Sequence, residues 1–143
     1  MGEIEGKSSW EHFPHRADMG IRGMGPTLHA AFEQAALAMT AVITSLDTVA
    51  AEQKVDIACS APDDELLLVD WLNALLYEMD IRRMLFSRFK VLIEGHKLTA
   101  SAWGEPVNVE KHTPAVEVKA ATYTELAVLC ENGNWTAQCI VDV

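Results

Sequence analysis

The chain has 143 residues, half of them apolar and 22% charged. That composition belongs to one globular domain with a core of its own, and it excludes a disordered chain. The formal net charge of −10 repels phosphate backbones, so RNA would be met only indirectly, through a protein partner or a bound cation.

No run of the sequence approaches the roughly 18 apolar residues that cross a bilayer. The polar start, residues 1–7, has no apolar core of the signal-peptide kind. The expectation is a soluble, cytoplasmic protein with no membrane partner. Residues 1–9 are small, polar and outside any periodic pattern, which suits a flexible tail, and one domain fills 10–143. Residues 10 to 24 read as extended, with Met19 and Ile21 alternating with Gly20 and Arg22. Pro26-Thr27 signals a helix start with Thr27 as N-cap. Leu28, Phe32, Ala35, Met39 and Val42 then recur at helical spacing, with Glu33 and Gln34 off the stripe.

Val55, Ile57 and Cys59 alternate as a strand. A second helix opens within 60–65, its acidic first turn matched to the positive end of the helix dipole. Leu68, Leu72, Leu75 and Met79 form its stripe, and Trp71 and Leu76 broaden it. Apolar residues on nearly every side predict a deeply buried helix, with Asn73 as a hydrogen-bonded boundary residue.

The remainder reads as β. Phe89, Val91 and Ile93 alternate up to a two-residue turn at Gly95-His96, and Leu98, Ala100 and Ala102 return from it. A turn-rich loop spans 104–114. Val116, Val118 and Ala120 read as one strand, and Leu126, Val128 and Cys130 as another. Asn132-Gly133 marks a hairpin into a closing strand over 135–142, with Trp135, Ala137, Cys139 and Val141 on one face. The predicted fold class is α+β: a single domain in which two main helices pack on a mostly antiparallel β-sheet. Cys59, Cys130 and Cys139 are an odd set without CxxC or Cys-His spacing, which predicts buried, reduced thiols rather than a zinc site.

No nucleophile elbow, Walker A loop, dinucleotide fingerprint or H-E-x-x-H is present. His12 and His15 flank Phe13-Pro14, but a two-histidine metal site would lack a third His or a nearby cysteine. The two aspartates near the chain ends carry more. Asp18 lies in Pro14-His15-Arg16-Ala17-Asp18-Met19-Gly20, and Asp142 in Ile140-Val141-Asp142-Val143. Termini of compact domains often lie close together. A closing strand that ends beside the early segment would bring both carboxylates to one hard divalent cation, which takes oxygen ligands. The plainer alternative is two solvated surface aspartates. Lys119 sits in the otherwise small or apolar run Val118-Lys119-Ala120-Ala121-Thr122-Tyr123. It is either a solvated outer-face residue or a charge that reaches a phosphate near the acidic pair.

Several blocks, in order from about Phe13 to Val143, resemble the archease family. They are His15-Arg16-Ala17-Asp18-Met19-Gly20-Ile21; Val69-Asp70-Trp71-Leu72-Asn73-Ala74-Leu75-Leu76-Tyr77; Gly104-Glu105-Pro106 leading to Glu110-Lys111-His112; Glu117-Val118-Lys119-Ala120-Ala121-Thr122-Tyr123; and the Ile140-Val141-Asp142-Val143 ending. The resemblance implies an accessory protein, not an enzyme. Its partner would be the RNA-splicing ligase that joins 3′-phosphate or 2′,3′-cyclic-phosphate ends to 5′-hydroxyl ends in tRNA splicing and RNA repair. That ligase uses GTP and manganese and passes through a guanylylated histidine; an archease speeds the guanylylation and permits multiple turnover. By motif match Asp18 and Asp142, with an oxygen of Val143, would hold a divalent metal ion (Ca, Mg or Mn), and Lys119 would be the lysine required for ligase activation. His15 is a secondary candidate beside them.

The chain departs from the family pattern at Pro14, Arg16, Thr124 and the Val107-Asn108-Val109 stretch, while Asp18, Lys119 and Asp142 are untouched. Two rival readings stand beside the activator. One is a general chaperone or adaptor without a metal role. The other is a stand-alone metal-dependent phosphoester hydrolase, for which His15 is the one obvious general base.

Overall fold

The computed structural model describes residues 7–143. Of the expected tail, residues 1–6 lie outside that range, and Ser9 is already paired with Met24. The chain opens on a hairpin, β1 (Ser9–His15) and β2 (Asp18–Gly25), followed by α1 (Leu28–Ile43) and a short 3-10 turn at Leu46–Thr48. Then come β3 (Gln53–Ser60), α2 (Asp64–Arg82), β4 (Met84–Glu94), β5 (Lys97–Pro106) and the one-turn α3 (Val109–His112). Three strands close the chain: β6 (Ala120–Ala121), β7 (Ala127–Glu131) and β8 (Asn134–Asp142).

The α+β class is as expected, and every strand pair is antiparallel. The strands form two sheets rather than one. The larger runs β1-β2-β8-β6, with β7 also paired to β8; the smaller runs β3-β5-β4. Residue alternation announces strands but not partners, so a split into an end-of-chain sheet and a mid-chain sheet leaves no mark in the pattern.

Helix α1 joins the two layers. Thr27 caps it as predicted, its Oγ1 accepting from Ala30 N at 3.0 Å. Its buried face meets β2 so closely that a Cβ on Gly23 would stand 2.2 Å from the nitrogen of Ala35. Only glycine allows that approach. On its other flank α1 covers the free edge of β4. Glu33 Oε2 accepts from Val91 N at 2.8 Å, and His29 Nδ1 accepts from Ile93 N at 3.0 Å. The residue that stood off the apolar stripe thus pairs an edge strand that would otherwise be open to a second chain.

Helix α2 starts at Asp63, whose carboxylate accepts from Leu66 N at 2.8 Å. Trp71 anchors it in the core, donating from Nε1 to the carbonyl of Phe32 and meeting Phe89 edge-on. Leu68, Leu72, Leu75 and Met79 are buried as expected. The helix is not deeply buried all round, however: Tyr77 is 61% and Ile81 53% exposed. Both tight turns form where predicted, with positive φ at Gly95 and His96 and at Asn132 and Gly133.

Three further expectations are corrected. The strand anticipated at Val116–Val118–Ala120 shrinks to Ala120–Ala121. Upstream of it the backbone bonds elsewhere, Ala115 N to the carbonyl of Ile43 at 2.7 Å, so no ladder forms. The loop at 104–114 holds the end of β5 and α3, which Asn108 caps by accepting from Lys111 N at 3.0 Å. Of the three cysteines, Cys139 is buried, Cys59 half-buried and Cys130 exposed, because β7 packs only its first residues. All three are free thiols. Burial raises Cys139 to about 12 and Cys59 to about 11, and the charge of Asp70 adds to the latter.

Candidate functional site

In the β2–β8 ladder Met19 stands opposite Val141 and Gly20 opposite Ile140. One step further along that register lie the ends of both strands, Asp18 of β2 and Asp142 of β8. On the far side of β2, His15 of β1 is paired with Asp18; on the far side of β8, Ala120 of β6 is paired with Asp142. His15, Asp18, Asp142 and Ala120 therefore form one rank across four neighbouring strands. Opposed residues of an antiparallel pair share a face, with α-carbons about 5 Å apart.

The main chain ties the rank together. Val143 N donates to Asp18 Oδ1 at 3.3 Å, and Lys119 N donates to the carbonyl of Asp142 at 2.8 Å. The strand ends thus bring Asp18, Asp142 and Val143 together, with Lys119 one residue off the rank. The Lys119 side chain is exposed and lines a depression with Asn73, Tyr77, Asp80 and Glu117 on the α2 side. Among the described residues neither the Asp142 carboxylate nor the Lys119 ammonium has a hydrogen-bonding or ion-pair partner.

The two histidines are parted by strand alternation, which sends residues three apart to opposite faces. His12 turns to α1, its Nε2 lying 2.8 Å from the carbonyl of Ala38. His15 stays in the rank with Asp18, and its Nδ1 is buried without a partner among the described residues. The paired-histidine metal site is therefore not formed.

Among the described residues no three His, Cys, Asp or Glu side chains converge as a metal cluster. The oxygen donors that the strand ends offer are two carboxylates and nearby main-chain oxygen. That set is hard in character and too small to fill a coordination shell. It fits a divalent ion that keeps waters or takes phosphate oxygens in its remaining positions. Zinc, which prefers nitrogen and sulfur, fits it poorly.

Asn73 proves to be the residue that seats β6. From the middle of α2 its Oδ1 accepts from Ala121 N at 2.8 Å, and its Nδ2 donates to the Ala121 carbonyl at 3.2 Å. The sequence marks it as hydrogen-bonded; only the fold shows that its partner lies two residues from Lys119. Of the departures noted above, Arg16 sits in the β1–β2 turn at φ 55, a left-handed backbone. Thr124 lends β8 its carbonyl, which accepts from Ile140 N at 3.0 Å.

No helix among the described residues is long and apolar enough to cross a membrane. Residues 10–143 match the model of the Archease protein family (MTH1598/TM1083). The protein archease of Pyrococcus furiosus is 42% identical over 139 residues, covering 94% of this chain and 98% of that one. That of Methanosarcina mazei is 38% identical over 139 residues, covering 94% and 95%. Among solved structures, protein 1598 of Methanobacterium thermoautotrophicum superposes with a TM-score of 0.83 at 37% identity, covering 94% of this chain and 99% of that one. An archease of Thermotoga maritima, described as a possible chaperone, superposes at 0.62 with 15% identity, covering 93% and 96%; that likeness speaks for the fold alone.

Proposed function

The chain belongs to the archease family, and from that membership and the Asp18–Asp142 rank we propose that it activates the GTP- and manganese-dependent RNA-splicing ligase without being the ligase itself. The observation that supports the reading is that adjacent strands of the larger sheet end in Asp18 and Asp142, with Lys119 bonded to the Asp142 main chain. Asp18 and Asp142, with a main-chain oxygen of Val143, would hold a divalent ion of the Ca, Mg or Mn class. Such an ion supplies positive charge to phosphate oxygens.

The chain's own groups do the rest. The two carboxylates concentrate negative charge at one edge of the molecule, and Lys119 provides a mobile ammonium that offsets phosphate charge beside them. The acidic body, net −10, steers toward a basic RNA-binding surface and raises the rate of encounter. RNA is then met only through the ligase.

The test is multiple-turnover ligation by the cognate ligase with and without this protein, with nucleotidyl transfer to the ligase followed in parallel. More than one product per ligase only when the protein is present is the expected result. Equal turnover in both arms ends the proposal. A second reading, a general chaperone, has in its favour the description of the Thermotoga relative. It predicts suppression of aggregation of unrelated clients that Asp18→Ala leaves intact.

A further inference from the structure

The exposed side of α2 is the least expected feature of the fold. Leu76, Tyr77 and Asp80 follow one another at helical spacing beyond Asn73, whose amide β6 takes, and form a stripe whose outer residues, Tyr77 and Asp80, are exposed. Facing it is the irregular segment 114–119, held at one end by the bond from Ala115 to Ile43 and at the other by the bond from Lys119 to Asp142. Between them lie two depressions of about 410 and 370 Å³ that share Leu76, Asp80, Glu117 and Val118. They form one groove.

The floor is apolar, with Met79, Met84 and Val118 at its base. Its margins carry three of the eight large apolar side chains that stand exposed among the described residues: Tyr77, Val107 and Val116. An apolar concentration of that kind on a charged surface marks a contact with another protein. The charges are ordered along the groove. Its apolar half holds only carboxylates, Asp80 and Glu117. The cation Lys119 stands at the end that abuts Asp142.

We propose that this groove seats a segment of the partner ligase in which an apolar side chain is flanked by lysine or arginine. The apolar anchor would enter against Leu76 and Met79, and its basic neighbours would meet Asp80 and Glu117. A segment held there would lie directly beside Lys119 and Asp142. The inference rests on the ligase reading above and adds where the binding energy is gathered: docking belongs to the groove, activation to the rank at the strand ends.

The experiment titrates the full-length protein into multiple-turnover ligation and measures ligase binding directly by biolayer interferometry. Val107→Glu combined with Val116→Glu alters two exposed positions and leaves the core intact. It should raise both the half-maximal concentration and the dissociation constant about tenfold or more while the plateau stays unchanged. Asp80→Lys with Glu117→Lys should weaken binding and reduce its dependence on salt. Asp142→Asn should lower the plateau and leave the dissociation constant alone. A photo-crosslinker in place of Val116 should capture a ligase peptide with an apolar residue next to Lys or Arg.

Wild-type binding by the groove variants would overturn the inference and leave the activator standing. Capture of a second copy of this chain, or of an acidic ligase peptide, would overturn it as well. If the unaltered protein neither binds nor stimulates the ligase, the activator reading falls, and the groove assignment with it.

Discussion

Two places in the molecule are built from the same ingredients, a carboxylate, an imidazole and a lysine, and they are finished differently. At Glu105 everything is paired. Its Oε2 accepts from Ala50 N at 2.8 Å, Lys111 Nζ at 2.7 Å and His112 Nε2 at 2.9 Å. His112 is buried, and its Nδ1 accepts from Asn108 N at 2.9 Å, so the ring's proton sits on Nε2 and points at the carboxylate. Thr44 completes the set by donating to the His112 carbonyl at 2.6 Å. At the strand ends, Asp18 has one long bond from Val143 and His15 Nδ1 is buried without a partner among the described residues. A fully satisfied polar network fixes structure; a row of underused groups at an edge is available to something outside the molecule. The first cluster holds the 105–113 stretch against α1, and the second is the one proposed to act on a partner.

Exchanging the two clusters in a mutational test should give opposite outcomes. Asp142→Ala should cut ligase stimulation about a hundredfold or more, the scale on which a preorganised charge acts. Its melting temperature should stay within about 2 °C of wild type, because a surface carboxylate without a partner contributes little to folding. Glu105→Ala reverses the pattern. Three donors lose one acceptor, and the melting temperature should drop by about 5–10 °C. Stimulation measured well below that transition should be retained. A stable Glu105→Ala protein, or an unfolded Asp142→Ala protein, would erase the distinction between the regions.

Asn73 couples the helix layer to β6 and should show a mixed response. Removing its two bonds to Ala121 leaves a buried backbone N–H and a carbonyl unmet, which costs about 1–3 kcal/mol. Asn73→Ala should therefore melt about 3–8 °C lower. With β6 less firmly seated, Lys119 is held less well, and stimulation should fall by several-fold rather than vanish. Asn73→Asp keeps the acceptor for Ala121 N and should recover part of both losses. Loss of stability with no change in stimulation would mean that β6 does not position Lys119.

The legible parts of this fold were those governed by local chemistry. Thr27, the acidic first turn of α2, Gly95-His96 and Asn132-Gly133 each specify their own backbone within a few residues. The two sheets were not legible, because β2 finds β8 across the whole chain and nothing in either strand names the other. The approach of Asp18 to Asp142 followed from a general tendency of chain ends to meet, not from any pattern in the two strands. The role of Lys119 came from resemblance: its expected strand has contracted, and what remains ordered there depends on an asparagine in a different element. Glu105 and His112 stood out as residues of a motif, but the segment between them looked like plain loop. Asn108, a helix cap followed by Glu110, was the available sign of the turn that lets His112 reach back.

The finest separation of the two clusters is by acid. The backbone N–H of Ala50, followed by the bonds from Lys111 and His112, lowers the Glu105 carboxyl from 4.5 to about 2. Between those values the unfolded chain binds a proton that the folded chain refuses, so stability rises with pH across that interval. The contribution of Glu105 is complete above about pH 4.5 and drains away as pH falls toward about 2. Every other carboxylate is common to the wild type and a Glu105→Gln variant, so the difference between their melting temperatures isolates this one group. That difference should hold steady from neutral pH down to about 5, narrow by a few degrees on further acidification, and nearly close at the acid end. Parallel curves for Glu105→Gln and the wild type would mean that the buried network is held by packing around His112 rather than by the charge it surrounds.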